Sequence, residues 1–455
     1  MVYRIRDRVE FDAATTETTL YVDIVAGSDG YDGTVGSPLK TIQEAVYRHI
    51  PPYAPAPYWS SSVVKRIIVK YTSGMPILQE NVIKPPHTGA GLFIIEGEMH
   101  VESNLVQSGA TTTVAGYQGR NRVAFTTSPL TPSSLDGYFA EPVPDVIFGS
   151  TELFSYLEHF CIIDNAAGSI DLAAGKIGSV DGFGYGDTSV IRIVRPQINW
   201  AQPDLDPTDI GAYTSAFINQ GGTTLIKGFI YTPTNLFDSF ITSDGAKPIF
   251  IGGFATYIDQ CTLIEPHYFS GKVNSLLINS CYIQSADSSN GAFRFYSGDT
   301  VHMERCHAQL TQSEVNFDQL QQARARFCYF ERISGISTHI RYVNCPATTL
   351  QNCDFRGGVN LQLHAAGGSA QNCTFEGVLN PAIEILERAD ISLTGCTGAT
   401  GNTKWGVLVG ESSYVKDLSG NTVTGSLGDL RIGGAPTITW GEIPFSDAVT
   451  FSRIE

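Results

Sequence analysis

Ile258-Asp259-Gln260-Cys261-Thr262-Leu263 recurs along the chain. It returns as Ile278-Asn279-Ser280-Cys281-Tyr282-Ile283, Met303-Glu304-Arg305-Cys306-His307-Ala308 and Ala325-Arg326-Phe327-Cys328-Tyr329-Phe330. It continues as Leu350-Gln351-Asn352-Cys353-Asp354-Phe355, Ala370-Gln371-Asn372-Cys373-Thr374-Phe375 and Leu393-Thr394-Gly395-Cys396-Thr397-Gly398, and closes on Leu418-Ser419-Gly420-Asn421-Thr422-Val423. Successive copies lie 20, 25, 22, 25, 20, 23 and 25 residues apart. A unit that keeps its pattern while varying in length is a solenoid coil with loop insertions. An apolar residue stands three before the Cys, another usually two after it, and the pair between is mostly polar or Gly. That is strand, corner, strand, with inward side chains on both sides of the corner. Asn and Gly just before the Cys suit a left-handed corner. Short strands in such coils, without helical periodicity, predict an all-β right-handed parallel β-helix in which the Cys position becomes an internal stack.

With 455 residues the chain is long enough for two or three ordinary domains, yet a solenoid uses that length as one body. No apolar run is long enough to span a bilayer, and the opening Met1-Val2-Tyr3-Arg4-Ile5-Arg6-Asp7-Arg8 lacks a signal-peptide core. The sequence therefore predicts cytosolic synthesis and no membrane insertion. A net charge of −16 argues against nucleic acid and means that an anionic glycan would need local basic residues. Of the nine cysteines seven are on the ladder, and we read them as buried, reduced, small apolar side chains. No C-x-x-C or Cys/His cluster calls for a metal, and no motif calls for a cofactor.

Residues 1–18 are a polar arm or docking peptide, and 19–58 hold a first strand, a loop and a helix. Leu39, Ile42, Val46 and Ile50 share one helical face, Thr41 with Glu44 is a capping box, and Pro51-Pro52 ends the helix. Such a helix would cover the first coil. The shaft is expected over 59–424, with an elaborated Ser/Thr/Pro-rich loop or lobe at about 103–144. Its strands resume at Val146-Ile147-Phe148, Cys161-Ile162-Ile163 and Val190-Ile191-Arg192-Ile193-Val194. Residues 425–455 are a cap or oligomerisation segment. Asp29 and Asp32 lie in a Gly-rich loop whose content turn chemistry explains without Ca²⁺.

The string Tyr21-Val22-Asp23, Gly27-Ser28-Asp29-Gly30, Asp32-Gly33-Thr34 and Gly36 through Val46 (G-S-P-L-K-T-I-Q-E-A-V) resembles the opening of pectate-lyase-like right-handed β-helix proteins. Arg4-Ile5-Arg6-Asp7-Arg8-Val9 and Asp429-Leu430-Arg431-Ile432-Gly433-Gly434 with Trp440 are similar to segments of bacteriophage tail and spike proteins. The resemblance implies a tailspike or fibre-type virion protein, a homotrimer that meets host-surface glycans and joins other virion proteins through one end. The alternatives are a polysaccharide depolymerase, hydrolase rather than lyase, and a purely structural β-helix. Pectate-lyase chemistry would need an Arg or Lys base beside Ca²⁺-binding Asp residues, and no such cluster is visible.

Residues one and three after each Cys should point outward. Glu331 and Glu376 are then two coils apart, on the order of 9.6 Å between backbones, near the upper limit for an inverting acid/base pair. Arg356 lies between them with Asp354 beside it, and Tyr282 and Tyr329 offer stacking platforms for sugar. The competing reading is a Glu-Arg-Glu ladder that neutralises itself on a solvated face, and this is the one we expect. His302, His307, His339 and His364 lack metal-ligand spacing.

Overall fold

The computed structural model describes residues 16–50, 58–59, 63–78, 88–89, 91–115, 117, 119–127, 130–131, 135–143, 159–174, 189–201, 217–219, 223–232, 249–251, 255–264, 267–284, 292–311, 314–333, 338–377, 381–398, 405–410, 413–417, 420–433, 437–438 and 452–454. The expected strand at 146–148, most of the N-terminal arm and Trp440 lie outside them.

One complete coil shows how the shaft is built. Strand Val359–His364 turns at Ala365 into Gly367–Gln371, which turns at Asn372 into Thr374–Glu376. Ala365 and Asn372 both have left-handed φ, 48° and 51°. The first two strands join a 19-stranded sheet folded over a corner, and the third joins a nine-stranded sheet. Neighbouring coils pair in parallel and in register, as in Asp354↔Thr374, Phe355↔Phe375 and Arg356↔Glu376. Parallel crossovers of this kind are right-handed, so the shaft is a right-handed parallel β-helix with three faces.

The corner before each Cys is left-handed at Gln260, Ser280, Arg305, Phe327, Asn352, Asn372, Gly395 and Gly420. Its geometry repeats because the corner amides from Gln260 to Asn372 each donate to the next coil, for instance Asn352 N to Gln371 O at 3.0 Å. All seven ladder cysteines are buried and free. Their thiols donate to backbone carbonyls, as Cys353 Sγ does to Ala325 O at 3.5 Å. At the eighth rung Asn421 takes the Cys place and bridges two coils: it accepts from Cys396 N and donates to Leu393 O, both at 2.8 Å. Inside, Phe330, Phe355 and Phe375 stack at 5.2 and 4.6 Å.

Helix Ile42–His49 closes the first coil with Ile42, Ala45 and Val46 turned inward. Thr41 Oγ1 accepts from Glu44 N at 3.2 Å. Asp29, not Glu44, completes the cap by accepting from the Lys40 and Thr41 amides at 3.0 and 2.9 Å. At the other end the ladder does not stop near 424. Strand Gly428–Gly433 pairs with Trp405–Val409, and Ser452–Ile454 with Gly428–Gly433, both in parallel.

The larger departure from expectation is a second body. Strands His100–Val106, Thr112–Thr113, Arg120–Ala124, Phe139–Pro142, Phe160–Ala166, Ser169–Ala173 and Val190–Arg195 form a separate seven-stranded sheet, antiparallel in every pairing given for it. The strands at Cys161–Ile163 and Val190–Val194, expected in the shaft, belong to this lobe. Alternating apolar residues look the same in a coil and in a hairpin, which is why sequence pattern misassigns them. The lobe has its own core of Leu105, Val123, Ile162, Ile170, Leu172, Ile191 and Ile193.

Candidate functional site

The lobe's underside sits on the nine-stranded face. Phe139, Cys161, Ile163, Ala173 and Val194 pack against Tyr282 and Tyr329. This corrects the expected sugar platforms, because Tyr282 is 5% exposed and Tyr329 2%. Burial raises both phenols above their ordinary range. His307 is sandwiched between them at 5.4 and 5.2 Å, with Nδ1 donating to Ile162 O of the lobe at 3.3 Å. Tyr282 Oη donates to Gln309. Asp354 is buried as well. The outward column one after the Cys is therefore an internal interface, since a second sheet covers it.

Further along the same strands the face opens at the lobe's edge. Glu331, Arg356 and Glu376 stand in register across three coils, as the repeat predicts. Arg356 Nε lies 3.6 Å from Glu376 Oε2, and Arg356 Nη1 donates to Tyr329 Oη at 3.2 Å. Tyr117 of the lobe donates to Glu376 Oε2 at 2.8 Å. Arg120 lies over the rings of Tyr117 and Tyr329 at 5.0 and 5.5 Å. Burial alone would raise the Glu331 carboxyl, but His307, whose Nε2 lies 3.7 Å from Glu331 Oε2, together with Arg356 and Arg120, holds it below its ordinary value. The arrangement is a Glu-Arg-Glu row tied to the lobe by a tyrosine, and all three side chains remain partly exposed.

A second polar row, not singled out from the sequence, crosses the adjacent face built by the first strand of each coil. Register aligns Asn316, Arg341, Gln362 and Glu384, with His339 beside Asn360. Arg341 Nε donates to Gln362 Oε1 at 2.9 Å, and Arg341 Nη1 lies 3.4 Å from Glu314 Oε2. Gln362 Nε2 and Asn360 Nδ2 donate to the two oxygens of Glu384 at 3.0 and 3.2 Å. His339 Nδ1 contacts Asn360 Oδ1. Burial raises the Glu384 carboxyl above its ordinary value against the opposing pull of His339, Gln362, His364 and Arg341. The spacing of these positions, 25, 21 and 22 residues from Asn316 to Glu384, is the coil repeat read one strand earlier. Aligning the sequence on that strand would have found the row.

A third cluster lies between lobe and shaft, buried except for Arg192 at its edge. Glu141 of the lobe meets Arg192 Nη2 at 2.7 Å, Gln260 Nε2 at 2.8 Å, Lys227 Nζ at 3.6 Å and His159 Nε2 at 3.7 Å. His159 Nδ1 faces Asp259 Oδ2 at 3.3 Å, and Ser280 Oγ donates to His159 O. It clamps lobe to shaft. Among the described residues no group of three or more His, Cys, Asp or Glu side chains is arranged to hold a metal ion. Among the same residues no helix is long and apolar enough to cross a membrane.

No family model matches the chain, and no curated relative matches it. Solved structures give likenesses in outline. The Gp54 tailspike of Acinetobacter baumannii bacteriophage AP22, solved with a capsular saccharide, is 10% identical over 88% of this chain and 70% of its own, with a TM-score of 0.21. The chain is similar to phage tailspikes. The gp49 tailspike of Pseudomonas phage LKA1 is 10% identical over 85% of this chain and 67% of its own, with a TM-score of 0.20. A GH136 lacto-N-biosidase from Eubacterium ramulus is 9% identical over 96% of this chain and 67% of its own, with a TM-score of 0.29. Likeness at this level carries no argument about activity, which must come from the side chains.

Proposed function

We propose that the chain is a virion spike or fibre protein whose shaft recognises a host-surface polysaccharide. The observation that carries this reading is the row Glu314, Arg341 and Glu384, partly exposed and braced by the buried Gln362. Its amide, guanidinium and carboxylate groups are held by one another on a rigid sheet face. Side chains so fixed lose little freedom on exchanging partners with sugar hydroxyls, which is the condition for a preorganised polar site. Arg356, Glu331 and Glu376 extend the binding surface at the lobe's edge. Tyr282, Tyr329 and Asp354 support it from beneath. In this reading the spike is a trimer, and an end of the chain meets other virion proteins.

A depolymerase is the second reading, and Glu384 favours it. Burial holds its carboxyl above the ordinary value, which is the direction a general acid for a glycosidic oxygen needs. Glu331 and Glu376 are the alternative acid/base pair. Incubation with capsule or lipopolysaccharide, followed by assays for retained polysaccharide, new reducing ends and unsaturated uronates, separates the readings. Binding that disappears in Arg341→Ala without new ends supports recognition alone. Ends that appear with the parent and vanish in Glu384→Gln support hydrolysis. A parent that retains no polysaccharide and produces no new ends refutes both.

A further inference from the structure

The corner before each ladder Cys demands a left-handed backbone, and eight coils supply it. Four of them use Asn or Gly, the residues that tolerate it best. The other four use Gln260, Ser280, Arg305 and Phe327, with φ of 46°, 47°, 54° and 52°. Three of these side chains have a visible task at the lobe. Gln260 donates to Glu141 at 2.8 Å, Ser280 donates to the His159 carbonyl, and Arg305 lies 5.1 Å from the Phe160 ring centroid. Phe327 is the exception. A bulky aromatic residue at positive φ is a genuine outlier; the stack imposes the backbone here, but nothing in that geometry asks for an aromatic side chain.

The Phe327 ring is only partly buried, and among the described residues it joins no apolar cluster. Its contact is Arg326, whose guanidinium lies 5.2 Å from the ring centroid. Glu304 in turn holds Arg326 Nη1 at 3.2 Å. Phe327 N donates to Gln351 O at 3.0 Å, so the backbone is pinned in the stack. The backbone is thus strained at Phe327, and the ring, oriented by Arg326, is partly open to solvent. A negative aromatic face of this kind takes the C–H face of a pyranose, whose hydrogens carry partial positive charge.

We infer that Phe327 is a ligand-contacting residue, a stacking platform for a hexopyranose unit of the recognised polysaccharide, oriented by Arg326. This rests on the glycan-recognition reading and adds a subsite to it at the corner column, away from the Glu314 to Glu384 row. The corner geometry supplies its own control. Phe327→Asn restores the residue that Asn352 and Asn372 use at the same position, so it relieves backbone strain and removes the ring together.

The experiment compares parent, Phe327→Asn and Phe327→Trp by thermal melting and on a printed array of bacterial capsular and O-antigen polysaccharides. We expect Phe327→Asn to melt at or above the parent while its retention of the parent's ligands falls about tenfold, as for loss of one aromatic anchor. Phe327→Trp keeps binding. If Phe327→Asn melts below the parent, the ring is a packing residue and the inference fails. Parent and Phe327→Asn binding alike also overturns it and leaves glycan recognition standing. A parent that binds nothing on the array removes both.

Discussion

Glu141 offers the sharpest test of how the lobe is held. Its carboxylate is almost fully buried between Arg192 of the lobe and Lys227 and Gln260 of the shaft, with His159 beside it. Burial would raise its pKa, but Lys227, His159, Arg192 and Gln260 reverse this and bring it from 4.5 to about 2. A folded-state pKa below the unfolded one means that the unfolded chain binds the proton first as pH falls. The stabilisation is therefore complete above about pH 4.5 and is lost as pH drops toward 2. The shift corresponds to about 3 kcal/mol at 1.36 kcal/mol per unit. Glu141→Gln removes the charge that Lys227 and Arg192 share, and although Lys227 keeps Glu96 at 3.5 Å the loss should be of the same order, about 3 kcal/mol. The assay is hydrogen exchange in strands Phe139–Pro142 and Val190–Arg195 across pH 2–7, parent against variant. The variant's lobe should open more readily at pH 7, and the difference should shrink to near zero at the acid end. A difference that does not change with pH would refute the ion-clamp reasoning.

Cys353→Asp should lower the shaft's stability by several kcal/mol, roughly 3–5, by burying an unpaired charge, whereas Cys353→Ser should be tolerated far better; thermal melting distinguishes them. Gly368→Ala should fail more severely than its size suggests, because at φ 135° the added Cβ would lie 1.9 Å from Thr348 O. A melting point within a degree of the parent would contradict that stacking. Glu376→Gln should cost at most about 1 kcal/mol and leave any cleavage unchanged if the Glu-Arg-Glu row is a tie rather than a catalytic pair; cleavage lost in this variant reverses the assignment.

The ladder was legible because one coil position repeats under the same constraint, namely a small inward side chain after a left-handed corner. Asn352, Asn372, Gly395 and Gly420 announce that corner directly. Helix Ile42–His49 was legible from its cap and apolar face. The lobe was not, since strands such as Phe160–Ala166 and Ser169–Ala173 alternate as shaft strands do, and only their Ala167-Gly168 hairpin loop betrays the antiparallel pairing. That omission propagated into the site. Tyr282 and Tyr329 were rightly assigned outward from the cylinder, but outward there means into the lobe. Glu331, Arg356 and Glu376 were aligned correctly because register follows from the repeat alone.

The lobe's place in the chain also sets an order of assembly. Strand Leu92–Gly97 must accept Thr223–Lys227 as its next rung, and Ile198–Ala201 must rejoin the shaft after residues 98–197. Closing a loop of about a hundred residues costs about 4 kcal/mol in chain entropy before any rung forms. Folding of the antiparallel lobe closes most of that loop through local hairpins, and it brings Gln197 Nε2 to Glu98 O at 3.1 Å. The lobe thus acts as a splint: once it is folded, the next coil of the cylinder begins where the last one stopped. A lobe variant that folds slowly should leave the shaft stalled after its first coils, with an open strand edge exposed to other chains.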